Sequence, residues 1–497
     1  MQQSQKVIFG IGVQTLGKFL YLGISVLTII LLTRYLGVEG YGYYTIVFAY
    51  VGILGTISEF NLNNILQREL GWRKKTKEKF LSHALGLKAA FSFIILALGV
   101  VLAYFLPYPE VVKKGILISS ISVYFLTLDS ALTPIFQLHL RMIQREIATI
   151  IGRLFFLVLL IILIKFGLGL LFIFTASLLG NVLVFALAYF FAKRIEFFGF
   201  KYRYPYWKKI FWETFPLGLS GLMLIISFKI DSVMLSFMKS AYDVGIYGAP
   251  YKVLEVLRAF PPMFMGLILP ILAKEYFEDK ERYQRIFQKT FSFVLLMAMP
   301  LGIFLFIFAG PIMNFVAGPE FNDSIIVLKI LALPTFFIFF DRVFANPIIA
   351  AKQYKGFLYI SIVVMIFNVI TNLIFIPKYS YIAAAYTTLF TELLKDVLLA
   401  VFVFRTQGLI PDFRKALRAI ISALPAAFMA IIIFNHNLFA NWHNFPAVPA
   451  LLKVFFLVFV FVLLAAVYFI TSYLLKGFDR ETLVHLLKRH EKNESNL

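Results

Sequence analysis

LLTRYLGVEGYGYYTIVFAY, residues 31–50, returns 203 residues later as MLSFMKSAYDVGIYGAPYKV, residues 234–253. Each copy holds the end of an apolar run and a short connection. Gly-x-Tyr then opens the next apolar run, with Gly42 and Tyr44 in the first copy and Gly245 and Tyr247 in the second. Gly-x-Tyr alone carries little, because both residue types are common in membrane helices and at their interfaces. Its place at the first connection of each half is informative: it predicts two blocks of six helices with the same orientation.

Composition fixes the surroundings of those blocks. Of 497 residues, 61% are hydrophobic and only 15% charged, which is the balance of a polytopic membrane protein. There is no cysteine, so disulfides, iron–sulfur clusters and thiolate zinc sites are excluded. Apolar runs of about 20 residues, long enough to cross the hydrocarbon, occur about fourteen times. Those the argument needs are the first two at 8–33 and 42–65, the seventh and eighth at 211–237 and 245–271, and the tenth to twelfth at 322–350, 356–376 and 381–404.

The net charge of +21 would suggest nucleic acid in a soluble protein; here it sorts by loop. Roughly 32 of the 47 Lys and Arg fall on alternate connections such as QRELGWRKKTKEK (67–79) and KRIEFFGFKYRYPYWKK (193–209), as the positive-inside rule requires. The opposite connections, GPEFNDS (318–324) and NHNLFANWHNFP (435–446), contain none. A multi-pass protein of the plasma (inner) membrane with both termini cytoplasmic follows. Its expected organisation is an N-lobe at 1–195, a C-lobe at 196–405, two further helices within 406–475, and a cytoplasmic tail at 476–497. The tail reads equally as a basic amphipathic helix on the inner leaflet or as a solvated end.

The stretch LTRYLGVEGYGYYTIVFAYVGILGTISEFNLNNILQREL (32–70) resembles the amino-terminal signature of Wzx-like polysaccharide flippases, in the multidrug/oligosaccharidyl-lipid/polysaccharide exporter superfamily. KIDSVMLSFMKSAYDVGIYGAPYKVLEVLRAFPPMFMGLILPIL (229–272) is similar to the matching signature of the second half. One departure stands at Glu59 and Asn61, where the family often has an acidic residue followed by Gly. The resemblance implies an all-α polytopic membrane protein of about 14 transmembrane helices in two six-helix lobes plus two C-terminal helices. It also implies alternating access of those lobes, and a polyprenyl-diphosphate-linked oligosaccharide as the cargo moved from the cytoplasmic to the outer leaflet. Helices 13 and 14 would support the lipid tail.

Charges deep in the hydrocarbon are where such chemistry would sit, since a charge facing lipid costs about 3 kcal/mol or more. Lys18, Lys229, Lys252 and Arg258 lie deep on the first, seventh and eighth spans. Lys229 and Lys252 each stand about eight residues, roughly 12 Å, from the same outer connection. Lys252, Glu255 and Arg258 form a polar stripe at three-residue spacing. Two readings are open. The cations meet the lipid diphosphate, with Asp231 and Glu255 orienting them; or the group closes on itself, Asp231 with Lys229 or Lys252 and Glu255 with Arg258. The resemblance favours the first, and Lys18, Lys229, Asp231, Lys252, Glu255 and Arg258 are the expected substrate-binding residues. Lys88 and Lys329 lie nearer helix ends, where a long Lys can snorkel. Asp341, Glu392 and Asp396 are candidates for coupling Na+ or H+. Asn368 and Asn372, four apart on one face, are expected to bond between helices.

No soluble catalytic domain fits in these connections and no GxxxxGK[ST] loop occurs, so neither enzyme activity nor ATP hydrolysis is expected. His485 and His490, five apart, do not share a helix face and make no metal site. No cofactor is expected beyond the coupling ion. Lipid-linked oligosaccharide and membrane lipids are the expected partners, with a polysaccharide polymerase or ligase downstream, no nucleic acid, and no required oligomer. The rival readings are a cation-coupled multidrug exporter of the same superfamily and a membrane-embedded glycosyltransferase or polymerase.

Overall fold

The computed structural model describes residues 3–59, 77–139, 141–258, 260–435 and 450–475. Apart from one short 3-10 turn at Pro319–Phe321, the regular structure among them is α-helical. In chain order the helices are α1 (Gln3–Glu59), α2 (Lys77–Phe105), α3 (Glu110–Leu138), α4 (Met142–Lys165), α5 (Leu170–Lys193), α6 (Tyr204–Met238), α7 (Ala241–Leu257) and α8 (Phe260–Glu278). They continue as α9 (Lys280–Ile307), α10 (Ala309–Val316), α11 (Ser324–Ala350), α12 (Tyr354–Gln407), α13 (Phe413–Ile421), α14 (Ala423–Asn435) and α15 (Ala450–Leu474).

Among the described residues ten helical segments are long and apolar enough to cross a membrane. Two of them are double. Gly37, at φ 64°, breaks α1 between the first and second predicted spans. Ser380, at φ 50°, breaks α12 between the eleventh and twelfth. The left-handed conformation is open to Gly but strained for Ser, and Ser380 is fixed by a hydrogen bond from its hydroxyl to Asp243.

The eighth predicted span is not continuous. Helix α7 ends at Leu257 and α8 begins at Phe260. The cause is in the sequence: Pro261 has no N–H to give the carbonyl of Leu257 and its ring collides with that turn. Arg258 therefore terminates the polar stripe at a break instead of continuing it along one helix.

By its own packing the chain divides into two compact units, residues 1–249 with 361–384, and residues 250–360 with 385–497. In the first, α4 and α5 cross where Gly152 meets Gly180; a Cβ on Gly152 would lie 2.2 Å from Val184 Cγ2 and 2.9 Å from the Gly180 carbonyl. Small residues allow this approach in place of a hydrophobic drive that lipid cannot supply. In the second, Phe287, Phe339, Phe340 and Val343 fill the core between α9 and α11.

The internal repeat has a physical form within the first unit. A Cβ on Gly42 would stand 1.8 Å from the carbonyl oxygen of Ala241, and one on Gly245 would stand 2.1 Å from that of Val38. Val38 is four residues before Gly42 and Ala241 four before Gly245, so each copy's glycine receives the other copy's carbonyl. Between them Gly248 meets its own counterpart, Thr45, a Cβ there falling 2.7 Å from the Thr45 side chain. Residue i meets j while j meets i, and one position meets itself: this is the contact pattern of a local two-fold.

Candidate functional site

Lys229 and Asp231 lie on α6, two residues apart, and meet different neighbours. The stem of Lys229 runs across Gly52 of α1: a Cβ there would be 3.2 Å from Lys229 Cδ and 3.7 Å from its Nζ. The absent side chain is the groove in which the lysine lies.

Asp231 is 1% exposed. Its Oδ1 accepts from Asn368 Nδ2 at 2.9 Å and Asn372 Nδ2 at 2.6 Å, and its Oδ2 from Tyr247 hydroxyl at 3.2 Å. Three neutral donors from α12 and α7 thus tie down the carboxylate, and the asparagine pair bonds between helices as its spacing predicts. Asn372 Nδ2 also donates to Asn368 Oδ1 at 3.1 Å, while Asn372 Oδ1 is buried with no hydrogen-bond partner among the described residues. Tyr247, the aromatic residue of the repeat motif, is therefore a ligand of Asp231 as well as a marker.

The turn beyond α6 is stitched down. Ser240 N and Oγ donate to Asp243, whose own N–H returns to Ser240 Oγ at 3.3 Å, closing a capping box at the start of α7. Lys239 Nζ reaches the Pro377 carbonyl at 2.9 Å. Nearby, Tyr108 in the connection between α2 and α3 hydrogen-bonds Ser236 Oγ at 2.8 Å. Burial pushes its phenol up to about 12, against the smaller opposing effect of that bond.

On α7 the ammonium of Lys252 is ion-paired with Glu255, their side chains 44% and 28% exposed. The Lys252–Glu255 pair is one closure that the three-residue spacing of the stripe allows. Lys18 lies in α1 with its side chain outside the described positions, and His485 and His490 lie outside the described residues altogether.

The three candidates for ion coupling are dealt with differently by their surroundings. Lys395 Nζ stands 2.5 Å from Glu392 and 3.6 Å from Asp341, so these two carboxylates already share a cation. Asp396 is buried, and among the described residues neither of its carboxylate oxygens has a hydrogen-bond partner.

A further polar group lies on α2, α3 and α4; of it the sequence had singled out only Lys88, as a residue able to snorkel, and burial at 0% exposure overturns that reading. Asp129 Oδ2 accepts from Arg145 Nη2 at 3.1 Å. The fully buried Lys88 donates to Ser130 Oγ at 3.4 Å. Arg153 places its guanidinium 5.3 Å from the centre of the Tyr21 ring. The available signal was Arg145, Thr149 and Arg153 at four-residue steps, one face of a helix.

Comparison with known proteins adds the following. The family model described as "Polysaccharide biosynthesis protein" matches residues 7–275, and one described as "MatE" matches residues 216–374. The capsular polysaccharide biosynthesis protein CapF of Staphylococcus aureus is 27% identical over 182 residues, 36% of this chain and 46% of that protein. The uncharacterized membrane protein MJ1068 of Methanocaldococcus jannaschii is 27% identical over 184 residues, 35% of this chain and 34% of that protein. Each match spans less than half the length of the relative. Among solved structures, the lipid II flippase MurJ in an inward closed conformation superposes with a TM-score of 0.71 at 18% identity, covering 94% of this chain and 99% of that one. An inward-facing multidrug resistance MATE transporter of the MOP superfamily gives 0.63 at 13% identity, covering 78% and 95%. At these identities the likeness is one of fold.

Proposed function

Since the chain belongs to the polysaccharide biosynthesis protein family, on a match that takes in more than half of its residues, we propose that it is a flippase for polyprenyl-diphosphate-linked oligosaccharide. It carries its cargo from the cytoplasmic to the outer leaflet by alternating access of helices 1–6 and 7–12. The observation that carries this reading is Lys252: eleven residues into α7, at hydrocarbon depth, it keeps 44% of its side chain open. A charge there facing lipid costs about 3 kcal/mol or more, so that surface is wet. Lys252 and Arg258 in the second unit, and Lys229 over Gly52 in the first, each offer a cation to an anion crossing a membrane. A diphosphate leaving water exchanges hydration for charge-assisted hydrogen bonds, which such residues supply.

In this reading the protein is not an enzyme, needs no cofactor beyond a coupling ion, sits in the plasma membrane with both termini cytoplasmic, requires no oligomer, and hands its product to a polymerase or ligase. Purified protein is expected to bind a polyprenyl diphosphate at least about a hundredfold tighter than the corresponding polyprenol, the worth of two charge-assisted bonds. Equal affinity for the two overturns the reading. The MatE match over residues 216–374 favours a second reading, a cation-coupled exporter of small molecules; it predicts preference for an apolar cation over either lipid.

Coupling is assigned to Asp231. A buried carboxylate beside Asn368, Asn372 and Tyr247 is an oxygen-rich set, and the buried orphan Asn372 Oδ1 is the atom that a guest would satisfy. Rotating either amide presents its oxygen in place of its NH2. Na+ or H+ held there would offset the carboxylate's charge and link the gradient to transport. Asp231→Asn is near-isosteric, so folding is retained while transport in proteoliposomes becomes independent of both Na+ and pH gradients. A variant with wild-type gradient dependence removes Asp231 from coupling.

A further inference from the structure

We propose that the first unit carries a phosphoryl-anion site of its own, made by Arg145 and Arg153 of α4. It uses residues other than the cations at positions 229, 252 and 258. Arg145 lies three residues into α4 and Arg153 eleven, about 5 and 16 Å along the helix axis. Asp129 bonds Arg145 at 3.1 Å and lies within electrostatic reach of Arg153.

The group is not a closed ion pair. The Nε atoms of Arg145 and Arg153 and Oδ1 of Asp129 are all buried with no hydrogen-bond partner among the described residues. Buried polar groups are rarely left so, because each orphan has given up its hydration without a replacement. Charge is also out of balance. Arg145, Arg153 and Lys88 bring three positive charges; Asp129, and Glu59 within electrostatic reach of Asp129 and Lys88, bring two negative. Lys88 is fully enclosed and supplies field only, while the Arg145 side chain stays 21% exposed and able to meet a guest. Two guanidinium forks with spare donors match the several oxygens of a phosphoryl group better than a single carboxylate does. Asp129 is then the residue that holds the forks in place and competes with the guest.

A phosphoryl group reaches such a site on the lipid-linked cargo or on an anionic membrane lipid, and the chemistry is the same for both. The first source rests on the flippase reading; the site itself does not.

The test measures binding of inorganic pyrophosphate to purified full-length protein in nanodiscs of zwitterionic lipid. Arg145→Gln with Arg153→Gln is expected to weaken binding at least tenfold, and Arg153→Lys, which keeps the charge and loses the fork, to weaken it less. Asp129→Asn gives the decisive sign. If Asp129 competes with the guest, pyrophosphate affinity rises about tenfold; if the cluster only braces helices, the variant loses thermal stability and affinity is unchanged, which overturns the proposal. Unchanged affinity in Arg145→Gln/Arg153→Gln also overturns it. Repeating the wild-type titration with polyprenyl diphosphate, and then in phosphatidylglycerol nanodiscs, identifies the source. Competition by the polyprenyl diphosphate supports the cargo, and competition by phosphatidylglycerol alone supports the membrane lipid. Loss of polyprenyl diphosphate binding only in Lys229→Gln/Lys252→Gln/Arg258→Gln, with pyrophosphate binding intact, separates failure of the flippase reading from failure of this one.

Discussion

Replacing Lys229, Lys252 and Arg258 together by Gln is expected to abolish translocation of lipid-linked oligosaccharide while leaving the protein inserted and folded. Each charge-assisted hydrogen bond to a phosphate oxygen is worth about 1.5–3 kcal/mol, so losing three lowers the rate at least a thousandfold, to the level of empty liposomes. Insertion survives because Gln costs less than a charge at the same depth. Glu255 loses its Lys252 partner in this variant, so a companion carrying Glu255→Gln as well is the proper control for an unpaired carboxylate. Gly52 provides an independent route to Lys229. Valine at position 52 puts a Cβ 3.2 Å from Lys229 Cδ and two methyls beyond it. The lysine is pushed out of its groove with its charge intact. Gly52→Val is therefore expected to weaken polyprenyl-diphosphate binding as much as Lys229→Gln does, and Gly52→Ala less. Wild-type transport by the triple variant sinks the diphosphate role of these cations.

What was legible in the sequence depended on how local its cause was. Helix existence and length follow from hydropathy alone, and the predicted spans have helical counterparts. The breaks at Gly37 and Ser380 fall between predicted spans because polar or conformationally permissive residues stand there. The break at Leu257–Phe260 was in the sequence as Pro261 and Pro262, but an apolar run conceals a broken ladder that hydropathy does not measure. Pairing was the least legible property. Glu255 has cations three residues away on both sides, and the ion pair with Lys252 is seen only in the coordinates. Asp231 finds its donors about 140 residues on, at Asn368 and Asn372; the i, i+4 amide pair was visible and its acceptor was not. Arg145 stands in the first turn of α4, which starts at Met142, and its pairing with Asp129 joins two helices that are not related by spacing. Asp129 and Arg153 were single charges in separate spans, and nothing local joins them.

The repeat offers the sharpest structural prediction, because sequence and geometry specify it independently. Gly42→Ala and Gly245→Ala are each expected to destabilise the protein by about 3 kcal/mol or more, the upper end for overpacking. The reason is the nature of the obstacle: the new Cβ meets a backbone carbonyl, at 1.8 Å in one copy and 2.1 Å in the other. A side chain can change rotamer, but a carbonyl moves only with its turn. Both substitutions force apart the same two connections, 37–42 and 238–245, so their costs do not add. The double variant should be little worse than the poorer single one, a coupling of about 2–3 kcal/mol in a double-mutant cycle. Gly248→Ala tests the position that faces its own counterpart. Thr45 offers a side chain there rather than a carbonyl, so Gly248→Ala combined with Thr45→Ala should recover most of what Gly248→Ala loses. No such rescue by a side-chain change is available to Gly42 or Gly245. Unfolding followed by intrinsic fluorescence in detergent provides the measurement. Full stability of Gly42→Ala would mean that the two copies do not meet through their glycines. Additive losses from Gly42→Ala and Gly245→Ala would mean that the two contacts belong to separate structural elements and that the repeat marks common ancestry without a shared joint.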